Sequence, residues 1–285
     1  MKNSLVFYFA AALGIPSLSF SITDATWTGG QWNLNADWTY NSPPNVFPNA
    51  IDTTARFTGV SGNIVLGQTI TVGHIEHSAG TVQTSSADNL QFSVSSGSAT
   101  FNSTGTGDFN GFGLSVLTLI SPLTFSNTGS GNVLLANTPL GGSGDLTISQ
   151  GTLTIEDPLA STYSGNVILG SSGVFHLDNQ GIDNFVCGGI SGSGTINLTV
   201  GSILQVNSTS PSTFSGTLTS DHNATGLSKC GTSTLTLTEG PSLSALLING
   251  GTLSLSNLSN VDGLDFIPGG SFGPVSPNAT LNLTG

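Results

Sequence analysis

The amino-acid sequence predicts an all-β protein, an elongated parallel β-helix or β-solenoid. Three observations support this fold class. Only 6% of the 285 residues are charged, whereas about 25% are charged in an ordinary soluble domain. The chain contains 39 Gly residues in a background of Ser, Thr and Asn, all of which disfavour helix interiors. Short runs that alternate apolar and polar residues recur between these turn formers, which is typical of half-buried strands.

The charge balance excludes several classes of function. The formal net charge is −12, and Lys2, Arg56 and Lys229 are the only basic residues. Three cations cannot neutralise a nucleic-acid backbone, so nucleic-acid binding is excluded. They are also too few for the Arg and Lys clamps of kinases, NTPases and lyases of acidic sugars. A solenoid explains the deficit, because like charges about 4.8 Å apart on neighbouring coils repel one another.

Residues 1–21 predict a signal peptide. Lys2 supplies a positive start, and the apolar run at residues 5–15 is shorter than the roughly 20 residues that cross a bilayer. Residues 19–21, Ser-Phe-Ser, form a cleavage site of small residues. We therefore expect an exported chain that begins near Ile22 and lies at the cell surface, at the outer membrane or outside the cell.

The two cysteines, Cys187 and Cys230, are predicted to remain unbridged. Export permits disulfides, but the separation of this pair along the chain is close to two coils of roughly 20 to 25 residues each. Two coils would place the pair about 9.6 Å apart, beyond the roughly 7 Å that a disulfide spans.

Residues 22–61 form a segment that contains all three tryptophans, Trp27, Trp32 and Trp38. Tryptophan offers a flat apolar face that stacks on sugar rings. A solenoid also needs a cap, because its first coil otherwise exposes core and strand edge. The sequence favours the cap and leaves ligand stacking open.

Residues 62–285 predict the solenoid itself. The clearest strands are Asn63–Leu66, Val116–Ile120, Asp145–Ile148, Thr152–Ile155, Thr195–Leu198, Thr234–Leu237 and Thr252–Leu255. A Gly-Thr-(Leu/Ile)-x-(Leu/Ile) unit recurs at Gly151, Gly194 and Gly251, and the two intervals between these copies are unequal. Degenerate β units of this kind favour a solenoid over a propeller or a pair of sandwiches, because each coil contacts only its neighbours.

Two stretches resemble a known family. Residues 227–238 (LSKCGTSTLTLT) and 247–255 (LINGGTLSL) resemble the autotransporter-associated β-strand repeat, whose unit reads Lys-x-Gly-x-Gly-Thr-Leu-x-Leu, an aromatic-Thr/Ser-Gly turn, and Ile-Asn-Gly-Gly-Thr-Leu. Residues 163–165 and 214–216 look like further copies of the turn, while Ser233 replaces the second family glycine. The Trp-rich segment is similar to the opening of many such passengers.

This resemblance implies a right-handed β-helical passenger displayed at a Gram-negative surface. The shared motifs are structural and imply no active site. The family also has a C-terminal outer-membrane β-barrel, which has no counterpart before Gly285. We expect either a longer natural protein or another route of export and anchoring.

No metal or cofactor site is predicted. His74 and Glu76 share one face of a strand while His77 points to the other, so the three do not converge on a metal, and we expect all three to face solvent. The run Gly141-Gly142-Ser143-Gly144-Asp145 is similar to a calcium-binding repeat, but its aspartate falls one position early and the run does not recur, so we expect a turn.

Candidate catalytic groups occur among the acids. Glycoside hydrolysis needs two carboxylates about 5 to 10 Å apart. The candidate pairs are Glu156 with Asp157, Asp178 with Asp183, and Asp262 with Asp265. All lie beside turn residues, where solvated acids are common. No Gly-x-Ser-x-Gly unit is present, so no serine nucleophile is predicted.

The sequence thus predicts a non-enzymatic, exported surface protein, an autotransporter-like stalk or adhesin. Its expected partners are glycans or proteins on host or neighbouring cells. The alternative is a β-helical carbohydrate-active enzyme, a glycoside hydrolase.

Overall fold

A computed structural model describes residues 23–41, 45–84, 87–156, 161–178, 184–199, 201–220, 225–243, 245–256 and 279–284. These residues form 27 β-strands and one 3-10 turn, Asn35–Asp37, and they contain no α-helix. Among them, no helix is long and apolar enough to cross a membrane. The predicted signal peptide lies outside the described residues.

Most strands are short, as the alternating runs predict, and the exceptions are β15 and β16. In chain order they are β1 (Asp24–Trp27), β2 (Trp38–Tyr40), β3 (Thr54–Thr58), β4 (Gly62–Ile64), β5 (Ile70–Val72), β6 (His74–Ala79), β7 (Val82–Thr84), β8 (Asn89–Phe92), β9 (Ala99–Ser103), β10 (Phe109–Phe112), β11 (Val116–Leu119), β12 (Leu123–Asn127), β13 (Val133–Ala136), β14 (Leu140–Gly142), β15 (Leu146–Glu156), β16 (Val167–Asp178), β17 (Phe185–Cys187), β18 (Ile190–Gly192), β19 (Thr195–Leu198), β20 (Ile203–Asn207), β21 (Ser212–Phe214), β22 (Thr217–Ser220), β23 (Gly226–Cys230), β24 (Thr234–Leu237), β25 (Ala245–Ile248), β26 (Gly251–Ser256) and β27 (Ala279–Thr284).

The strands stack into three parallel ladders that run along the molecule. The first ladder contains β1, β3, β6, β9, β12, the first halves of β15 and β16, β18, β21, β24, β26 and β27. The second contains β4, β7, β10, β13, the second halves of β15 and β16, β19 and β22. The third consists of β5, β8, β11 and β14, and later β17, β20, β23 and β25. The predicted parallel β-solenoid is confirmed.

One continuous core fills the space between the ladders. Side chains alternate in and out of each strand, because strand geometry has a period of two. Inside the first ladder, the paired residues Ala55, Ile75, Phe101, Phe125 and Ile148 form a buried column. Each coil adds one residue to this column and one or two more inward residues beside it, so the core grows with the number of coils.

The coils differ in length. Thr54 pairs with His74, and His74 pairs with Thr100, so the second of these coils is longer than the first. Near the other end of the chain, the coil that leads from Thr234 to its partner Thr252 is shorter than both. The turns absorb these differences, and this is why the sequence repeat is degenerate.

Two turns with the same sequence, Gly-Ser-Gly, occupy different corners of the solenoid, a corner being the point where the chain passes from one ladder to the next. Gly142-Ser143-Gly144 links the third ladder to the first, whereas Gly192-Ser193-Gly194 links the first to the second. Gly142 and Gly192 have φ angles of 92° and 97°. A Cβ at either position would also lie 2.3 Å or less from a carbonyl oxygen of the preceding coil. Both reasons require glycine.

The two aromatic-Ser-Gly turns, residues 163–165 and 214–216, lie one coil after the two Gly-Ser-Gly turns and hydrogen-bond to them. Ser164 donates its backbone N–H to the Gly142 carbonyl at 2.9 Å, and Ser215 donates to the Gly192 carbonyl at 2.8 Å. The aromatic rings of Tyr163 and Phe214 are buried. The turn motif is therefore a local unit, and its recurrence does not mark equivalent positions in successive coils.

Two sequence runs merge in the structure. Asp145–Ile148 and Thr152–Ile155 were predicted as separate strands, but β15 spans both with a register shift between Ile148 and Gln150. β15 and β16 lie side by side along their length, so each passes from the first ladder to the second as one continuous strand.

Candidate functional site

The Trp-rich segment is continuous with the solenoid. β1 pairs in parallel with β3, and β2 pairs in antiparallel fashion with β1, placing Trp27 opposite Trp38. No break separates the described residues of the 22–61 segment from the first ladder. β2 lies along the outer edge of β1, and a short antiparallel strand at such an edge blocks further pairing.

The three tryptophans are buried. Trp27, Trp32 and Trp38 are 1%, 0% and 4% exposed, and their ring centroids lie 5.7, 5.6 and 6.0 Å from that of Phe57. Trp32 donates its indole N–H to the Pro48 carbonyl at 2.7 Å, and Trp38 donates to the Trp32 carbonyl at 2.8 Å. None of the three ring faces is free to stack on a sugar. Buried rings beside the first strand are compatible with a cap, and the cap stays a prediction.

An ion cluster ties the first three strands of the first ladder together. Arg56 on β3 donates through Nε to Asp24 Oδ1 at 2.6 Å and through Nη2 to Asp24 Oδ2 at 2.9 Å. Its Nη1 donates to the Glu76 carboxylate on β6. The hydrogen bonds from Arg56 lower the pKa of Asp24, and the same contact raises the pKa of Arg56. The chain's only arginine is thus held in a bidentate pair.

Beside this cluster lies an open depression of about 390 Å³, which we call the polar groove. It follows the outer face and the end of the first ladder. Most of its side chains carry a hydroxyl, an amide or a carboxylate. The lining residues are Arg56, Thr58, Glu76, His77, Ser78, Asn102, Ser103, Thr104, Ser126 and Thr128.

His77 forms the inner wall of the polar groove. The expectation that His77 faces solvent is wrong: the residue is 1% exposed, because it occupies an inward position of β6. Its Nε2 donates to the Gly80 carbonyl at 2.7 Å, and its Nδ1 lies 3.0 Å from the Ser103 hydroxyl. A carbonyl only accepts, so Nε2 carries a proton. His74 and Glu76 lie half-buried on the other face, as predicted.

Two of the acids proposed for catalysis, Glu156 and Asp178, lie among the described residues. Glu156 and Asp178 are partners in neighbouring strands β15 and β16. Asp178 accepts a hydrogen bond from Thr199 Oγ1 at 2.7 Å. Their sequence partners Asp157 and Asp183 lie outside the described residues, as do Asp262 and Asp265. Sequence reasoning missed the Glu156–Asp178 neighbours because pairing across coils depends on the ladder register.

The glycine-rich run at residues 141–145 begins as the end of β14 and forms the predicted turn at residues 143–144. Asp145 accepts hydrogen bonds from the backbone N–H and the side-chain amide of Asn166, both at 2.9 Å. Within the described part of the chain, no three His, Cys, Asp or Glu side chains gather as metal ligands.

The cysteines are two strands apart. Cys187 pairs with Val206, and Cys230 pairs with Asn207, so β20 separates β17 from β23. Cys187 is buried, which raises the pKa of its thiol to about 12. The predicted separation of about two strand spacings, too long for a disulfide, is confirmed.

Lys229 is the one feature of this end that sequence analysis missed. It occupies a core position between Val206 and Ile248 and is fully buried. Its ammonium donates to the Cys230 carbonyl and lies 3.4 Å from the Gly250 carbonyl. Burial lowers its pKa. Strand alternation places residue 229 inward, but a lysine in a Gly-rich stretch gives no signal of burial.

Comparisons with known proteins add no family. No protein-family model, curated protein or solved structure matches this chain.

Proposed function

We propose that this chain is a non-enzymatic, exported surface protein whose solenoid acts as a stalk or adhesive module, in the manner of an autotransporter passenger. The observation that carries the proposal is the first ladder. It runs without a break from β1 to β27, so its strands form one continuous parallel ladder through all the described coils. Such a ladder extends the molecule in one direction, as a stalk requires, rather than enclosing a substrate.

The outer faces support a surface role. Outward residues of the first ladder such as Thr100, Thr124 and Thr147 are half-buried, uncharged and stacked in register. Polar, uncharged faces suit broad and shallow contacts, which gain strength when many copies are displayed. The expected partners are glycans or proteins on neighbouring or host cells.

A deletion matched to the register tests the stalk. Thr100, Thr124 and Thr147 occupy equivalent positions, so removing residues 100–146 deletes two coils and lets Thr147 take the place of Thr100. We expect a folded rod shorter by about 9.6 Å in small-angle X-ray scattering, because each coil adds about 4.8 Å. A matched control removes residues 100–134, which is out of register, and we expect it to misfold.

Localisation and catalysis are tested on cells that express the full chain. We expect protease added to intact cells to degrade the protein, and the cells to attach to glycan- or protein-coated surfaces. A protein that stays protected inside the cell contradicts the proposal. So does polysaccharide cleavage that is lost in the double variant Glu156→Gln, Asp178→Asn, a result that would support the glycoside hydrolase.

A further inference from the structure

We propose that the polar groove binds an extended, uncharged polysaccharide along the solenoid axis, with one sugar residue per coil. The inference rests on the proposed adhesive function and names its ligand. It starts from the register of the first ladder. Arg56 pairs with Glu76, Glu76 with Asn102, and Asn102 with Ser126. Four successive coils therefore present four polar side chains in one line.

The spacing along this line suits a glycan. Paired residues on neighbouring parallel strands are about 4.8 Å apart, which is close to the rise of one residue in an extended pyranose chain. A polysaccharide lying along the axis would meet a new polar side chain at each sugar. A polypeptide ligand would not match, because an extended strand rises only about 3.3 Å per residue.

The groove offers the groups that sugar hydroxyls need. The side chains of Asn102, Ser126 and Thr128 have no hydrogen-bond partner among the described residues, so donors and acceptors face the depression unused. Glu76 is 42% exposed beyond its contact with Arg56, and a carboxylate accepts from two neighbouring hydroxyls. Hydroxyl and amide side chains with one carboxylate fit a polyhydroxylated ligand.

The local charge excludes acidic glycans. Arg56 is the only cation among the lining residues of the groove, and Asp24 and Glu76 already hold it. The cluster therefore carries one net negative charge, on a chain whose net charge is −12. Uronic acids and sulfated sugars would be repelled. The lining residues include no exposed aromatic ring, so binding depends on hydrogen bonds and each site is weak.

Affinity electrophoresis measures such weak binding. The full chain is run through native gels that contain hydroxyethyl cellulose, a neutral β-1,4-linked glucan, and through gels that contain polygalacturonate. We expect retardation only by the neutral polymer. Cellotetraose should release the protein far better than cellobiose, because four coils line the groove, and cellohexaose should add little. Equal competition by cellobiose, or equal retardation by polygalacturonate, would overturn the proposal.

Two alanine variants localise the binding. Asn102→Ala removes a groove amide, whereas Asn110→Ala removes the same group from the second ladder of the same coil. We expect Asn102→Ala to weaken binding by about 2- to 10-fold, the effect of one hydrogen bond, and Asn110→Ala to leave it unchanged. Ser126→Ala should act like Asn102→Ala. Circular dichroism checks that all three fold. Equal affinities for the two asparagine variants would refute the groove.

The outcomes separate the two proposals. If displayed cells attach to surfaces but the glucan never retards the protein, the groove proposal fails and the adhesive function stands. If the glucan binds through Asn102 but cells never attach, the adhesive function fails and the groove remains a glycan site.

Discussion

Replacing Gly131 by alanine should destabilise the fold through a backbone clash between coils. Gly131 sits in the corner between β12 and β13, directly beside the equivalent turn of the preceding coil. A Cβ at this position would lie 1.9 Å from the Gly107 carbonyl oxygen, whereas real Cβ contacts are essentially never below 3.0 Å. The two coils must therefore move apart by about 1.1 Å, the difference between these distances.

The energetic cost follows from this displacement. Overpacking of a well-packed region costs roughly 1–3 kcal/mol. The movement also strains the hydrogen bond from Gly131 N–H to the Gly105 carbonyl, and a lost hydrogen bond costs about 0.5–1.5 kcal/mol. Alanine recovers about 0.4–1 kcal/mol by restricting the unfolded chain. We expect a net loss of about 2 kcal/mol, within a range of about 0.5–4 kcal/mol.

Urea unfolding measures the loss, with Gly62→Ala as the matched control. A Cβ at Gly62 would meet only the Trp27 ring, at an ordinary 3.5 Å. We expect this control to be neutral or slightly stabilising. Far-ultraviolet circular dichroism follows all coils, while tryptophan fluorescence follows the Trp-rich segment, where all three tryptophans lie. If both variants have the same midpoint, the corners do not stack as described.

Three further perturbations test the core and its buried groups. Burial lowers the pKa of Lys229 below its usual value of 10.5. Between the lowered pKa and 10.5 the unfolded chain binds more protons than the folded chain, so the free energy of unfolding rises with pH. Over this pH interval the wild type should gain stability relative to Lys229→Met, and parallel pH profiles of the two proteins would contradict this. Gly111→Ala places a methyl group in an apolar cavity of about 40 Å³. The nearest atom to the added Cβ is Leu135 Cδ2 at 2.9 Å, the end of a side chain that can move. The urea midpoint should therefore rise by the equivalent of about 0.5–1 kcal/mol, and a lower midpoint would refute the cavity. A thiol reagent should label half-buried Cys230 before Cys187, whose thiol is buried and has a pKa of about 12; faster labelling of Cys187 in the folded protein would be inconsistent with its burial.

The sequence predicts strands well and their partners poorly. Alternation within a run such as Thr195–Leu198 depends only on local residues, and β19 matches it. The pairing of Glu156 with Asp178 depends on the number of residues in a whole coil. That number is not constant, since the coil from Thr234 to Thr252 is much shorter than the coil from Gly251 to Ala279. No short motif encodes such a number, so sites that span several coils, including the polar groove, are not readable from the sequence.

Buried polar residues explain how corners of different length remain stable. His77, Asn127 and Lys229 all point into the solenoid near the ends of their strands. Each hydrogen-bonds a backbone carbonyl in or beside a turn: His77 to Gly80, Asn127 to Gly131 at 2.9 Å, and Lys229 to Cys230.

A carbonyl left unpaired at a corner would cost about 1–3 kcal/mol. A polar side chain at the last inward position removes that cost whatever the turn length, because it reaches the turn from inside the core. An apolar residue there would require every turn to pair its own carbonyls, and that would require turns of uniform length. The inward polar positions therefore permit the irregular coils of this solenoid. Because the coils differ in length, residues that are unevenly spaced along the chain meet in the line of the polar groove, namely Arg56, Glu76, Asn102 and Ser126.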